Sequence, residues 1–290
     1  MNQSFNSENL KKMVSRYSLL FLFALLTTTN LFGQTIPRVF INEVLASNLT
    51  TNPDMVDFGD FSDWIELYND ENIDVNIGGF YLSDDFTIPT KWQFPANTII
   101  PAKSFYLVWA DDYNNTPGKT LIRNWWPNNI SFTTKWCHTN FKLNKGGDKL
   151  GLFNISGSIV DSLTFPNQTT DISFGRQPDG TNILKFFGEA TPLASNISAG
   201  LNAISFSGLV NFSIEGGFYQ NPFQLTLTSN TGNGIIRYTT DGSKPSSKST
   251  QYLSPISISA NTIVRARLFE DAKVPGKTIT NSYFVSETRN

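Results

Sequence analysis

Asp54, Asp57, Asp60 and Asp63 recur at every third position just ahead of Trp64. Carboxylates gathered from one flexible loop are the oxygen set that a hard cation such as calcium takes. The spacing does not follow the D-x-D-x-D-G order of an EF-hand, and Phe58 and Phe61 between the acids suit a loop pinned to a core. Two readings stay open, a solvated acidic loop and a structural calcium site. A glycosidase acid/base pair is not expected, because nothing fixes a second carboxylate opposite the first. A second group is aromatic. Tyr113, Trp125, Trp126, Phe132 and Trp136 stand in a polar, Asn-rich stretch. Exposed rings beside amides suit stacking on sugars, or anchoring a protein partner. The third reading is a loop that folds back and buries its own rings.

Other chemistry is poorly supplied. His138 is the single histidine and Cys137 the single cysteine. In a strand these neighbours point to opposite faces, so they form no nucleophile–base pair. One His and one Cys fall short of zinc sites of the usual kinds, and a lone Cys gives no disulfide framework. Cys137 is read as a small packing residue. Neither a G-x-x-x-x-G-K-[ST] phosphate loop nor a G-x-G-x-x-G fingerprint occurs, and Lys145-Gly-Gly-Asp148 reads as a hairpin turn. No enzyme activity and no cofactor beyond the calcium reading is expected.

These residues must be held by a scaffold. Of 290 residues, 16% are charged, below the roughly 25% usual for soluble proteins, and Asn, Thr, Ser and Gly fill the gap. With 24 Phe and 6 Trp the chain can bury a core. A net charge of −2 without a basic face argues against nucleic acid. Lys11, Lys12 and Arg16 precede an apolar run, Tyr17 to Leu26, then a polar patch and Gly33. That is the layout of a cleavable signal peptide over 1–33. The run spans about 15 Å as a helix, half a bilayer core, so no membrane span is expected after cleavage. Cleavage would remove those three bases and Glu8, taking the net charge from −2 to −4. The expected location is secreted, extracellular or at the cell surface.

Beyond Gln34 short alternating runs are divided by turn residues, the pattern of an all-β protein. Trp64, Glu66 and Tyr68 point one way and Ile65 and Leu67 the other. Trp64, Trp92 and Trp109 lie on expected strands as packing residues. Thr191 to Gly200 is small and polar and reads as part of a linker over 181–205, between sandwiches at 34–180 and 206–290. In the second, Asp241-Gly242 sets a turn and Tyr238 packs beside it.

The first domain resembles the lamin-tail domain, an Ig-like β-sandwich. Phe40 to Asn48, Asp63-Trp-Ile-Glu-Leu-Tyr-Asn69, Gly78 to Asp84, Phe141 to Phe153 and Ser173-Phe-Gly-Arg-Gln-Pro-Asp-Gly180 carry the likeness, over about 36–180. Tyr113 to Cys137 departs from the pattern and reads as an insertion. The second domain resembles the C-terminal β-sandwich module of chitobiase and hexosaminidase-type proteins, through Arg237-Tyr-Thr-Thr-Asp-Gly-Ser-Lys-Pro245, Tyr252, Thr262 to Leu268 and Ser282-Tyr-Phe284. That module carries no catalytic residues in its family. The resemblance implies two Ig-like β-sandwiches in tandem and a binding, adhesion or scaffolding role towards a glycan or cell-surface protein. The same order of modules is similar to the front of secreted proteins that continue into a spore-coat-type (CotH) kinase-like domain. The alternative is therefore an accessory region of a larger secreted enzyme.

Overall fold

The structure, a computed structural model, describes residues 36–54, 59–112 and 137–286, and they form strands and turns without a helix. Among them no helix is long and apolar enough to cross a membrane. The first sandwich holds β1 (Val39–Leu45), β2 (Trp64–Asn69), β3 (Val75–Asn76), β4 (Tyr81–Ser83), β5 (Trp92–Gln93) and β6 (Ile99–Ile100). It continues with β7 (Phe105–Trp109), β8 (Cys137–His138), β9 (Asp148–Phe153), β10 (Ile159–Phe165), β11 (Ser173–Arg176) and β12 (Leu184–Phe187). Six strands form one sheet in the order β12-β11-β1-β2-β7-β8, and four form the other in the order β10-β9-β4-β5.

A bulge decides what each face of the large sheet carries. Between Ile41 and Glu43 the register of β1 against β2 slips, so Ile41 pairs with Leu67 but Glu43 pairs with Glu66 and Val44 with Ile65. A one-residue slip exchanges the faces. Val39, Ile41, Val44, Ile65, Leu67 and Val108 therefore share the core with Leu82, Trp92, Phe94, Leu150 and Leu152 of the facing strands and turns. Glu43 and Glu66 go to the opposite face and are fully buried there. The backbone groups freed at the bulge are recovered across the sandwich. Ile41 N donates to Asp161 Oδ2 at 2.7 Å, and Arg176 Nε donates to the Ile41 carbonyl at 2.9 Å. Arg176 Nη2 also meets Asp161 at 3.0 Å, so one buried ion pair fastens both sheets to the bulge. Gly175 is required beside it, because a Cβ there would lie 2.4 Å from the Asn42 carbonyl oxygen.

The stretch 181–205, expected as a linker, is part of this sandwich. It contains β12, which pairs along its length with β11, and Phe186 and Leu201 exchange backbone bonds. Residues 191–196 then close over the buried acids. Leu193 N donates to Glu66 Oε2 at 2.5 Å, and Thr191 N to Glu43 Oε1 at 3.3 Å. Ser173 Oγ donates to Glu43, and Asn42 Nδ2 bridges Glu66 Oε1 at 3.2 Å and Asp179 Oδ1 at 3.0 Å. Thr191 Oγ1 contacts both Glu43 Oε2, at 3.0 Å, and Asn196 Oδ1, at 2.6 Å. One hydroxyl proton cannot serve both, and a protonated Glu43 donating to Thr191 resolves the count. A polar segment passed for a linker because its contribution is backbone N–H donors, not apolar bulk.

The second sandwich has β13 (Val210–Phe212), β14 (Gly217–Tyr219), β15 (Phe223–Leu225), β16 (Leu227–Ser229) and β17 (Ile235–Thr239), then β18 (Thr250–Gln251), β19 (Ile256–Ile258), β20 (Thr262–Phe269) and β21 (Ile279–Val285). Its main sheet runs β14-β21-β20-β17-β18, with the pairs β13-β16 and β15-β19 completing it. Val210, Leu225, Leu227, Ile258, Val264, Leu268 and Tyr283 make its core. Gly242, at φ +82°, and the bonds from Ser243 to Asp241 Oδ1 form the expected turn, and Tyr238 packs at the core margin. Val274 from the β20–β21 connection reaches a small apolar cluster with Ile172 and Leu201 of the first sandwich.

Two outcomes follow from the acid layer. Burial pushes the Glu43 carboxyl up from 4.5 to about 7, with its hydrogen bonds pulling partly back, and burial followed by the Glu43 charge raises Glu66. Between about pH 4.5 and 7 the unfolded chain has lost the Glu43 proton and the folded chain keeps it. The stability that Glu43 contributes is thus fully present below this window and is lost as pH rises through it, by on the order of 3 kcal/mol. Glu43→Gln should flatten most of that slope in urea midpoints measured against pH; an unchanged slope contradicts the assignment. Leu193 is 43% exposed yet held at φ +61°, a left-handed conformation that its side chain disfavours. Its N–H, not its side chain, is what the fold uses, so Leu193→Gly should be neutral or stabilising by up to about 1 kcal/mol. A loss beyond about 1 kcal/mol in the same assay would show that the side chain matters.

Candidate functional site

Strand alternation and register build one row across the outer face of the six-stranded sheet. Leu45 pairs with Trp64, Trp64 with Trp109, and Trp109 with His138 of the parallel neighbour β8. Leu45, Trp64, Leu107 and Trp109 cluster on this face, away from the main core. The next row, Val44, Ile65, Val108 and Cys137, faces the core. Trp92 belongs to the main core, so the three strand tryptophans pack, on two different faces.

His138 ends the row at a junction of loops. Asp111 follows β7, where the insertion of residues 113–136 leaves the sheet, and His138 lies where it returns. His138 Nδ1 meets Asp111 Oδ2 at 2.6 Å, closing the neck of the insertion. Thr139 N to the Trp109 carbonyl at 2.8 Å and Asp112 N to the Phe141 carbonyl at 3.3 Å close it further. On the other side His138 Nε2 faces Asp54 Oδ2 at 3.4 Å. Asp54 starts the acidic loop, whose own neck is closed by Asp54 N to the Asp60 carbonyl at 2.7 Å. Asp54, Asp111 and His138 are the group of the described residues that could hold a metal ion together.

The acidic quartet is thereby distributed. Asp54 is buried and turned to His138, Asp60 is exposed and accepts from its own Phe61 N at 2.8 Å, and Asp63 accepts from Asn48 N at 3.1 Å. Burial raises the Asp63 carboxyl to about 6, opposed by that bond and by the charge of Lys142. Asp57 lies outside the described residues, as do Tyr113, Trp125, Trp126, Phe132 and Trp136. Sequence reasoning missed Asp111 and the meeting of His138 with Asp54. The signal was present in that Asp111 and His138 bracket the insertion.

Cys137 is a core residue. Its Sγ contacts Tyr106 Oη at 3.0 Å, and burial pushes the thiol up to about 11, with the Tyr106 bond opposing. The thiolate, not the thiol, is nucleophilic. Iodoacetamide at pH 8 should leave the native protein unmodified and label one thiol in denaturant, read by intact mass. Rapid native labelling would contradict the placement.

The comparisons agree with this architecture. Residues 33–167 match the model of the Lamin Tail Domain, and residues 214–280 match that of the Chitobiase/beta-hexosaminidase C-terminal domain. No curated protein matches the sequence. β11 and β12 fall after the first matched stretch but pair into its sheet. The chain thus carries a lamin-tail-type sandwich followed by a chitobiase/beta-hexosaminidase C-terminal-type sandwich, both all-β and Ig-like.

Proposed function

We propose that the protein is a non-catalytic binding module, secreted and working at the cell envelope, that contacts glycan or protein surfaces through the insertion between β7 and β8. The observation that carries this reading is the closed neck. The insertion leaves and rejoins adjacent strands of a well-packed sheet, and its roots are tied by the Asp111–His138 contact at 2.6 Å. Such a neck displays a loop from a rigid scaffold at little ordering cost, the arrangement that binding loops use. The sequence between these roots carries Tyr113, Trp125, Trp126 and Trp136. The second sandwich matches a module named for chitobiase and beta-hexosaminidase, which makes glycan the first surface to test. Cys137 and His138 face opposite sides of the sheet and support no nucleophile–base chemistry.

A panel of polysaccharides and glycans read with the purified protein should give at least one specific ligand. Trp125→Ala and Trp126→Ala should each weaken it by about 2 kcal/mol, about thirty-fold, with the melting temperature unchanged. Binding untouched by either substitution, or a matching loss of stability, would count against the insertion as the contact surface.

A further inference from the structure

Residues 190–196 form a strap with tied ends. Phe186 N donates to the Leu201 carbonyl at 2.9 Å, Leu201 N to the Phe186 carbonyl at 2.8 Å, and Ser198 Oγ to the Glu189 carbonyl at 3.1 Å. Between these roots Leu193 and Ile197 are exposed, so no large apolar side chain fastens the strap. Polar bonds hold it instead. They run from Thr191 to Glu43, from the Leu193 N–H to Glu66, from Ser195 and the Asn196 N–H to Asp179, and from Asn196 Nδ2 to the Arg176 carbonyl.

Those bonds fix where a proton sits. Asn196 Nδ2 is committed to the Arg176 carbonyl at 2.8 Å, so Oδ1 is the atom facing Thr191 Oγ1 at 2.6 Å, and it takes the hydroxyl proton. Glu43 Oε2, 3.0 Å from the same hydroxyl oxygen, then meets an acceptor and must itself be the donor. Loss of that proton to solvent leaves Glu43 Oε2, Thr191 Oγ1 and Asn196 Oδ1 with one proton among them. It also sets a charge beside Glu66, the cross-strand partner, and near Asp179. The cation of this row is directed elsewhere. Lys185 shares the row of Glu43 through Gly175, but Gly200 lies against its stem and its ammonium donates to Asn202. Glu189 accepts from the Ser247 N–H at 2.9 Å, and Tyr68 lies on the same face two residues beyond Glu66.

We propose that this segment is a pH-operated strap, shut over the acids while Glu43 carries its proton and lifted when the proton is lost, with both sheets still folded. It uncovers Glu43, Glu66 and the flank of the Leu45–Trp64–Leu107–Trp109 cluster, on which Ala190 packs. The indole N–H groups of Trp64 and Trp109 are buried there without a partner, so wetting this flank costs less than wetting an apolar core. Leu193 adds a bias towards opening, because the cost of its left-handed φ of +61° is offset only while its N–H reaches Glu66. Burial raises the Glu43 carboxyl from 4.5 to about 7, and lifting the strap returns it to the ordinary value. Opening therefore releases a proton between those limits. Its equilibrium constant grows by up to about tenfold per pH unit there, roughly 50-fold from pH 5 to pH 7.5.

Amide exchange of the native protein, compared as protection factors at pH 5 and pH 7.5 with and without low urea, tests this. The amides of Thr191, Leu193 and Asn196 should lose protection roughly 50-fold over that range, and their exchange at pH 7.5 should be insensitive to urea, the mark of local opening. The amides of Leu150 and Leu152 in the facing sheet should exchange by the urea-dependent global route. Glu43→Gln supplies an amide that donates to Thr191 as the protonated acid does and cannot lose the proton, so its strap should keep the protection seen at pH 5. Equal protection of the wild-type strap at the two pH values overturns the proposal. Strap exchange that follows urea together with Leu150 and Leu152 does so too, as does a Glu43→Gln strap that loses protection like the wild type. Should that variant fail to fold, the wild-type pH and urea series decides alone.

Discussion

The bulge at Asn42 sets the terms for the rest of the first sandwich. By exchanging the faces of β1 after Ile41, it keeps Val44 in the core and sends Glu43 to lie against Glu66 on the other side of the sheet. Two carboxyls side by side in a dry place cannot both carry charge at modest cost. The chain meets this with a retained proton and a dense set of donors: Ser173, Asn42, Thr191 and the Leu193 amide. A sheet that would otherwise have one wet face is therefore buried on both. The 181–205 segment is its lid, held by polar contacts where most lids use apolar ones.

The same outer face continues from the acids through Leu45, Trp64 and Trp109 to His138. There the demand for partners is met by loops. Asp54 and Asp111 each come from the first residue of a loop and converge on one imidazole. The two features that carry chemistry in the sequence, the acidic loop and the aromatic insertion, are thus rooted at one point.

Much of this is local pattern and could be read from the sequence. The alternation of Trp64 and Glu66 against Ile65 and Leu67, the opposed side chains of Cys137 and His138, and the Asp241-Gly242 turn all follow from strand geometry over a few residues. What escaped is non-local. Asp111 and His138 are 27 positions apart across an insertion, and Leu193 meets Glu66 across 127. No periodicity encodes such contacts. The linker reading failed for a related reason: Thr191 to Gly200 is short of bulky core residues, its Leu193 and Ile197 being exposed, and its backbone amides make contacts that composition does not reveal. The spacing of the acidic residues drew attention to the loop, but only the fold separates buried Asp54 from exposed Asp60.

Residues 186–201 seal the acid-bearing face of the first sheet. Amide hydrogen exchange read residue by residue tests it directly. The amides of Phe186, Thr191, Leu193, Asn196 and Leu201, each bonded to the first sandwich or within the segment, should be protected to a degree approaching those of β1. Exchange of Thr191, Leu193 and Asn196 at the rate of an open peptide would contradict it. Glu43 and Glu66 would then face water.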